Sequence, residues 1–132
     1  MNVYYDTVLD PRTGIRWLGQ GLDALGAYGF DRYCLMAYHL QIAEELQIPV
    51  SEAIALAGRA SAQLYDRVGP RLAVKLQTVD WKSGSPVDVE DLGALAQAAA
   101  RAGAGLVLAP ADSARADELA ETIRTYRERA AR

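Results

Sequence analysis

Cysteine and histidine are almost missing from this sequence. Cys34 and His39 are the single representatives of their kinds. One cysteine excludes an internal disulfide framework, and one cysteine with one histidine cannot build the nitrogen–sulfur ligand sets that hold zinc. Cys34 lies inside the apolar run Tyr33-Cys34-Leu35-Met36-Ala37, so a small buried side chain is expected rather than a catalytic thiol. Basic excess is missing too: 14 Lys and Arg face 17 Asp and Glu, a formal net charge of -3. That balance gives no footprint for nucleic acid or an anionic membrane, either of which calls for a basic patch. The C-terminal arginines Arg124, Arg127, Arg129 and Arg132 are interleaved with Glu121 and Glu128, as on a solvated helix face.

Long apolar runs are absent as well. No segment approaches the roughly 18 consecutive apolar residues of a membrane helix. The start, Met1-Asn2-Val3-Tyr4-Tyr5-Asp6, has neither the basic region nor the apolar run of a signal peptide. As written, the chain is expected in the cytoplasm; as a fragment of an exported parent it would be periplasmic or extracellular. Phosphate-binding loops are also lacking. Gly14, Gly19 and Gly21 fall within or before a helical pattern and form no dinucleotide or P-loop signature, so no cofactor is expected.

What is present is a regular alternation. Hydrophobic residues make up 51% of the 132 positions, enough for one folded domain over 1–132. Val3–Leu9 reads as a first strand, stopped at Asp10-Pro11. Ile15, Leu18, Leu22 and Leu25 recur at helical spacing, with Trp17 expected in the core beside them, and Gly26 or Gly29 ends that helix. Tyr33–Ala37 is a second strand, followed by a short helix around Gln41–Leu46. A longer helix runs from a Ser51 cap to Val68, closed by Gly69-Pro70. Arg71–Gln77 is the third strand, Val89–Ala102 a helix capped by Asp88, and Gly105–Ala109 the fourth strand. Asp112 or Ser113 then opens a terminal helix carrying Leu119, Ile123 and Tyr126.

The order β-α-β-α-α-β-α-β-α implies an α/β fold with right-handed crossovers. Apolar strands without alternation imply a parallel sheet buried on both faces. Two architectures fit: a small open sheet covered by helices, or four consecutive units of a (β/α)8 barrel of roughly 250 residues. A barrel segment requires the four strands to lie side by side in chain order.

In either architecture ligands bind where strands open into loops at their carboxyl ends. The residues there are Tyr5, Asp6 and Thr7; Tyr38 and His39; Lys75, Gln77, Asp80 and Trp81; and Asp112. Gln, Asp and Trp together can hydrogen-bond hydroxyls and stack on a flat apolar face, which is what sugars require. Asp6, Asp80 and Asp112 are candidates for the paired carboxylates of a glycosidase, whose separation sets the mechanism. Each also has a plain structural reading: Asp80 and Asp112 as turn or helix caps, His39 as a helix cap or backbone partner.

These strand-end residues carry a resemblance. Val74-Lys75-Leu76-Gln77-Thr78-Val79-Asp80-Trp81, followed by Leu108-Ala109-Pro110-Ala111-Asp112, resembles the last strands of one barrel domain. It is the C-terminal glycoside-hydrolase-like domain of the biofilm poly-β-1,6-N-acetylglucosamine N-deacetylases. That family shows a Phe-Glu-Leu-Gln strand ending in Asp-Trp, then a Tyr-Tyr-Pro-Asp-Asp segment. Upstream, Asn2-Val3-Tyr4-Tyr5, Val8-Leu9-Asp10-Pro11, Trp17-Leu18, Gln20 and Leu35-Met36-Ala37-Tyr38 agree in order and spacing. The resemblance implies the last four units of a (β/α)8 barrel and a poly- or oligosaccharide ligand. Asp6, Tyr38, His39, Lys75, Gln77, Asp80, Trp81 and Asp112 would belong to the sugar site. Lys75 stands where the family has a glutamate, and Leu108 and Ala109 replace its tyrosines.

The expected behaviour is therefore saccharide binding without catalysis by this chain alone. Because four strands leave two sheet edges unpaired, a homodimer or association with a missing half-barrel is expected. A non-enzymatic interaction module and an unrelated small α/β domain are the alternatives.

Overall fold

A computed structural model describes residues 1–111 and 113–132. Among them, β1 (Asn2–Tyr4), β2 (Tyr33–Met36), β3 (Leu72–Gln77) and β4 (Gly105–Ala109) form one sheet. All neighbours are parallel, and the strands lie side by side in chain order. In register, Val3, Leu35, Val74 and Leu106 form one row, and Tyr4, Met36, Lys75 and Val107 the next. The helices are α1 (Tyr5–Leu9), α2 (Pro11–Thr13), α3 (Leu22–Leu25), α4 (His39–Leu46), α5 (Val50–Val68), α6 (Val89–Arg101) and α7 (Ala116–Ala130).

The two faces of the sheet differ. Val3, Leu35, Leu72, Val74 and Leu76 join a single core with Ala57 and Leu64 of α5 and Leu92, Leu95 and Ala99 of α6. Each buried Leu there contributes about 2 kcal/mol of transfer free energy. Alternate residues point the other way: Tyr4 is exposed, and Cys34, Met36, Lys75 and Val107 are half-buried. Burial on both faces, as the continuous apolar strands suggested, holds at Ala73 and Gln77 of β3 but not along the rest of the sheet. One face is packed under helices and the other is partly open. Cys34 accordingly sits half-buried on the open face instead of in the core.

The first strand is shorter than its β-branched and aromatic residues suggest. After Tyr4 the chain turns into α1, whose helical spacing brings Tyr5 and Val8 onto the core, while Thr7 is also buried. Packing overrides β-propensity here. Asp10 then caps α2, accepting from the backbone N–H of Arg12 and Thr13.

The expected continuous helix over Ile15–Leu25 is broken. A π-helical turn spans Gly14–Leu18, Gly19 takes the left-handed conformation (φ 65°), and α3 starts afresh at Leu22. Gly14 permits the turn because a Cβ there would lie 2.6 Å from Thr7 Cα and 3.0 Å from the Gln20 carbonyl oxygen. The break swings Trp17 out of the core: it is 72% exposed, with the Arg16 guanidinium over its ring.

Gln20, which follows, seals the outer edge of β1. Its amide nitrogen donates to the Asn2 carbonyl at 2.9 Å, and its Oε1 accepts from Tyr4 N–H at 3.3 Å and from Thr7 Oγ1 at 2.9 Å. One side chain thus supplies both a donor and an acceptor to the edge, as a neighbouring strand would.

The later elements follow the sequence closely. Asp88 caps α6 by accepting from Glu90 N–H at 2.8 Å. Ser51 is not the cap of α5; Pro49 takes that position, its ring fixing φ at -59° ahead of the first turn. The terminal helix α7 begins at Ala116, with Leu119 buried. No helix is long and apolar enough among the described residues to cross a membrane.

Candidate functional site

The carboxyl ends of β1, β2 and β3 open onto two adjoining recesses. One, of about 170 Å³, is lined by Tyr5, Asp6, Leu18, Tyr38, Gln41 and Glu45 among others. The second, of about 390 Å³, is lined by Leu40, Gln41, Glu44, Gln77, Asp80, Trp81 and Lys82. Gln41 faces both. The Tyr38 ring meets the Trp81 ring edge-to-face, 4.7 Å between centroids at 71°. Tyr38 is buried and Trp81 is 58% exposed, so a buried ring props up an exposed aromatic surface.

Gln77 ends β3 and is 2% exposed. Its Nε2 donates to the Val79 carbonyl at 2.7 Å, which fixes the amide's orientation. Its Oε1 is buried and has no protein partner among the described residues. A buried carbonyl oxygen left without a donor costs about 1–3 kcal/mol. Gln77 lines the second recess, but this oxygen is enclosed, so a ligand hydroxyl or amide N–H reaches it only if the side chain shifts.

Asp80 closes the loop after β3. Its Oδ1 accepts from Lys82 N–H, and its Oδ2 from Ser83 Oγ at 2.7 Å and Ser83 N–H. The hydroxyl and amide donors hold its carboxyl below the usual range. Both oxygens serve the turn that presents Trp81. Lys82 pairs with Glu44 of α4, tying that loop across the recess.

Asp6, on α1 and not on a strand, is different. Burial, with the carboxylates of Glu45 and Asp10 nearby, raises its carboxyl above the usual range. Glu45 accepts from Tyr5 OH at 2.7 Å and from Gln41 Nε2 at 2.6 Å. Burial and that bond to Glu45 push the Tyr5 hydroxyl well up as well.

The structure therefore brings Asp6, Tyr38, Gln77, Asp80 and Trp81 to one end of the sheet, in two recesses. It leaves two other candidates outside both. His39, the first residue of α4, is fully buried, with Nε2 3.5 Å from Asp91 Oδ2 and, among the described residues, no hydrogen bond to either ring nitrogen. Burial lowers its pKa despite the Asp91 carboxylate. It neither caps the helix nor bonds the backbone, the two structural roles its position suggested. Lys75 lies mid-strand on the open face of the sheet, and among the described residues it forms no ion pair. Asp112 lies outside the described residues. Of the three candidate carboxylates, Asp6 and Asp80 line different recesses. Gln41, Glu44 and Glu45 were not anticipated. Their i, i+3, i+4 spacing on a helix that starts at a strand end was the signal available.

Neither a protein-family model nor a curated protein matches the chain. A solved structure does: the PgaB (BpsB) glycoside hydrolase domain from Bordetella bronchiseptica, with a TM-score of 0.69 and 26% sequence identity. The likeness covers 92% of this chain and 33% of that one, so the chain spans about a third of its length. Four parallel strands in chain order, each followed by helix, are the arrangement of consecutive units in a (β/α)8 barrel. The resemblance read from the strand-end motifs is thus borne out in three dimensions: the chain folds as a segment similar to the barrel of a PgaB-type glycoside hydrolase domain.

Proposed function

We propose that this chain is the saccharide-binding C-terminal half of a carbohydrate-active barrel, a single unit over residues 1–132 that does not catalyse by itself. The observation that carries the reading is exposed Trp81, braced by the Tyr38 ring, on the wall of a recess that Gln41, Gln77 and Asp80 also line. A sugar ring stacks its apolar face on an aromatic and offers hydroxyls or an acetamido N–H to an acceptor. Gln41, Glu44 and Lys82 around the same recess supply further donors and acceptors. The likeness to a glycoside hydrolase domain agrees with that chemistry. Catalysis is a different matter. Asp80 is committed to its turn, and Asp6 faces Glu45 across a recess of about 170 Å³, which is small for a sugar ring and an attacking water together.

Titration with partly deacetylated β-1,6-linked N-acetylglucosamine oligomers, followed by tryptophan fluorescence, tests the reading. The signal is expected to survive in Trp17→Phe and to vanish in Trp81→Ala. By calorimetry Trp81→Ala should bind about tenfold more weakly, as loss of roughly 1–1.5 kcal/mol of aromatic contact implies. Equal affinity of Trp81→Ala and the parent chain would reject the proposal.

A further inference from the structure

His39 is the chain's single histidine, and it lines neither recess. It nonetheless ties them to the body of the fold. The ring is fully buried, and among the described residues both of its nitrogens lack a hydrogen-bond partner. A neutral imidazole carries one donor and one acceptor, so both polar functions are unmet in this arrangement. Asp91 Oδ2 on α6 stands 3.5 Å from Nε2. That is roughly 0.6 Å beyond a charge-assisted hydrogen bond. The Asp91 side chain is partly exposed, so the pair lies at the boundary of core and solvent.

That ring is one residue from the aromatic platform. Tyr38 precedes His39 at the start of α4, and its ring meets Trp81 edge-to-face at 4.7 Å. The same helix presents Gln41, Glu44 and Glu45 to the recesses. A movement of His39 towards Asp91 is thus carried to the base of Trp81 through one peptide unit.

Among the described residues Asp91 is the one charged group acting on the imidazole. On α4, Glu44 pairs with Lys82, and Glu45 accepts from Tyr5 and Gln41. On α6, Asp88 caps the helix and Glu90 accepts from Tyr126 OH, while Glu52 of α5 is exposed. Burial keeps the ring neutral near pH 7, its pKa lying below the ordinary value. Protonation gives the ring a second N–H donor and a charge, and an enclosed charge moves to a partner or to water. Asp91 offers both.

Resting on the saccharide reading above for its ligand, we propose that His39 is a pH-sensitive positioning residue for the Trp81 platform. With the imidazole neutral, Tyr38 stands behind Trp81 and the recess is ready for a sugar. With the imidazolium drawn to Asp91, the start of α4 shifts, Tyr38 leaves its edge-to-face contact and the platform loosens. Saccharide affinity is then full at neutral pH and falls as pH drops below about 6.5, through the imidazole's lowered range. The linkage is reciprocal, so bound saccharide makes His39 harder to protonate.

Trp17→Phe leaves Trp81 as the single tryptophan, and the single histidine gives one imidazole resonance. In that protein, without ligand, Trp81 emission and the chemical shift of His39 Cε1 are followed from about pH 7.5 to pH 5, with circular dichroism as the check on folding. The two should titrate together, and the emission step should vanish when His39→Gln is added. In Asp91→Asn both midpoints should move together to lower pH, because the carboxylate that favours the charged ring is gone. This variant also serves if His39→Gln is unfolded. Affinity for N-acetylglucosamine oligomers should fall at least about threefold over the same range. Flat emission while the imidazole titrates, an imidazole that stays neutral to pH 5, or midpoints unmoved in Asp91→Asn would overturn the inference. So would a step that survives His39→Gln, with Asp6, whose carboxyl is also raised, as its source. Absence of saccharide binding at every pH strikes the binding reading alone, because the emission step needs no ligand.

Discussion

His39 and Asp91 show how one buried side chain sets a pH response. The imidazole is fully enclosed and Asp91 lies 3.5 Å away, yet burial outweighs that attraction and lowers the histidine's pKa. The folded chain therefore binds a proton at His39 less readily than the unfolded chain does. Stability is then unaffected above the ordinary imidazole range and is lost as pH falls below about 6.5. Thermal melts between pH 7.5 and 5 should show this decline, and His39→Gln should flatten it. An unchanged slope in that variant would remove His39 from the account. The sequence marked His39 only as a strand-end histidine. Its neighbour Tyr38 turns to the recess while His39 turns to α6, and that difference of one residue is settled by where α4 starts. Gln77 and Trp81 were more legible, because a strand followed by a short polar loop leaves few other directions for them.

At the scale of the element, the segment between β1 and β2 departs most from its sequence pattern. Helical periodicity over Ile15–Leu25 is real, but it cannot reveal that Gly14 must pass within contact of α1 or that Gly19 turns left-handed. Gly14→Ala tests this packing. Its Cβ would meet the backbone at Thr7 and Gln20, which cannot rotate away, so the variant should lose about 1–3 kcal/mol in spite of alanine's better helix propensity. A urea melt with a lowered midpoint and unchanged slope is the expected record. Equal or greater stability would show that the α1–Gly14 contact yields easily. By contrast, α6 and β4 were readable almost to the residue. Asp88 caps the one, and Pro110 follows the other, so local signals and tertiary packing agree.

Across the whole molecule, protection should grade from centre to edge. β2 and β3 have strands on both sides, β1 is sealed by the Gln20 amide, and among the described residues β4 has one neighbouring strand. Amide hydrogen exchange is expected to be slowest in β2 and β3 and fastest in β4, with Tyr4 N–H accelerating several-fold in Gln20→Ala. Protection of β4 equal to that of β3 would argue that its edge is covered in the free chain. The sequence by itself determined the α/β class, the strand count and the strand-end cluster, because periodicity, caps and proline and glycine stops act over a few residues. Only the tertiary structure decided that one face of the sheet stays open, that Trp17 leaves the core, and that Gln20 closes an edge. Those outcomes depend on which surfaces meet across long stretches of chain, such as the 16 and 18 residues between Gln20 and its partners Tyr4 and Asn2, and a local pattern carries no record of a distant partner.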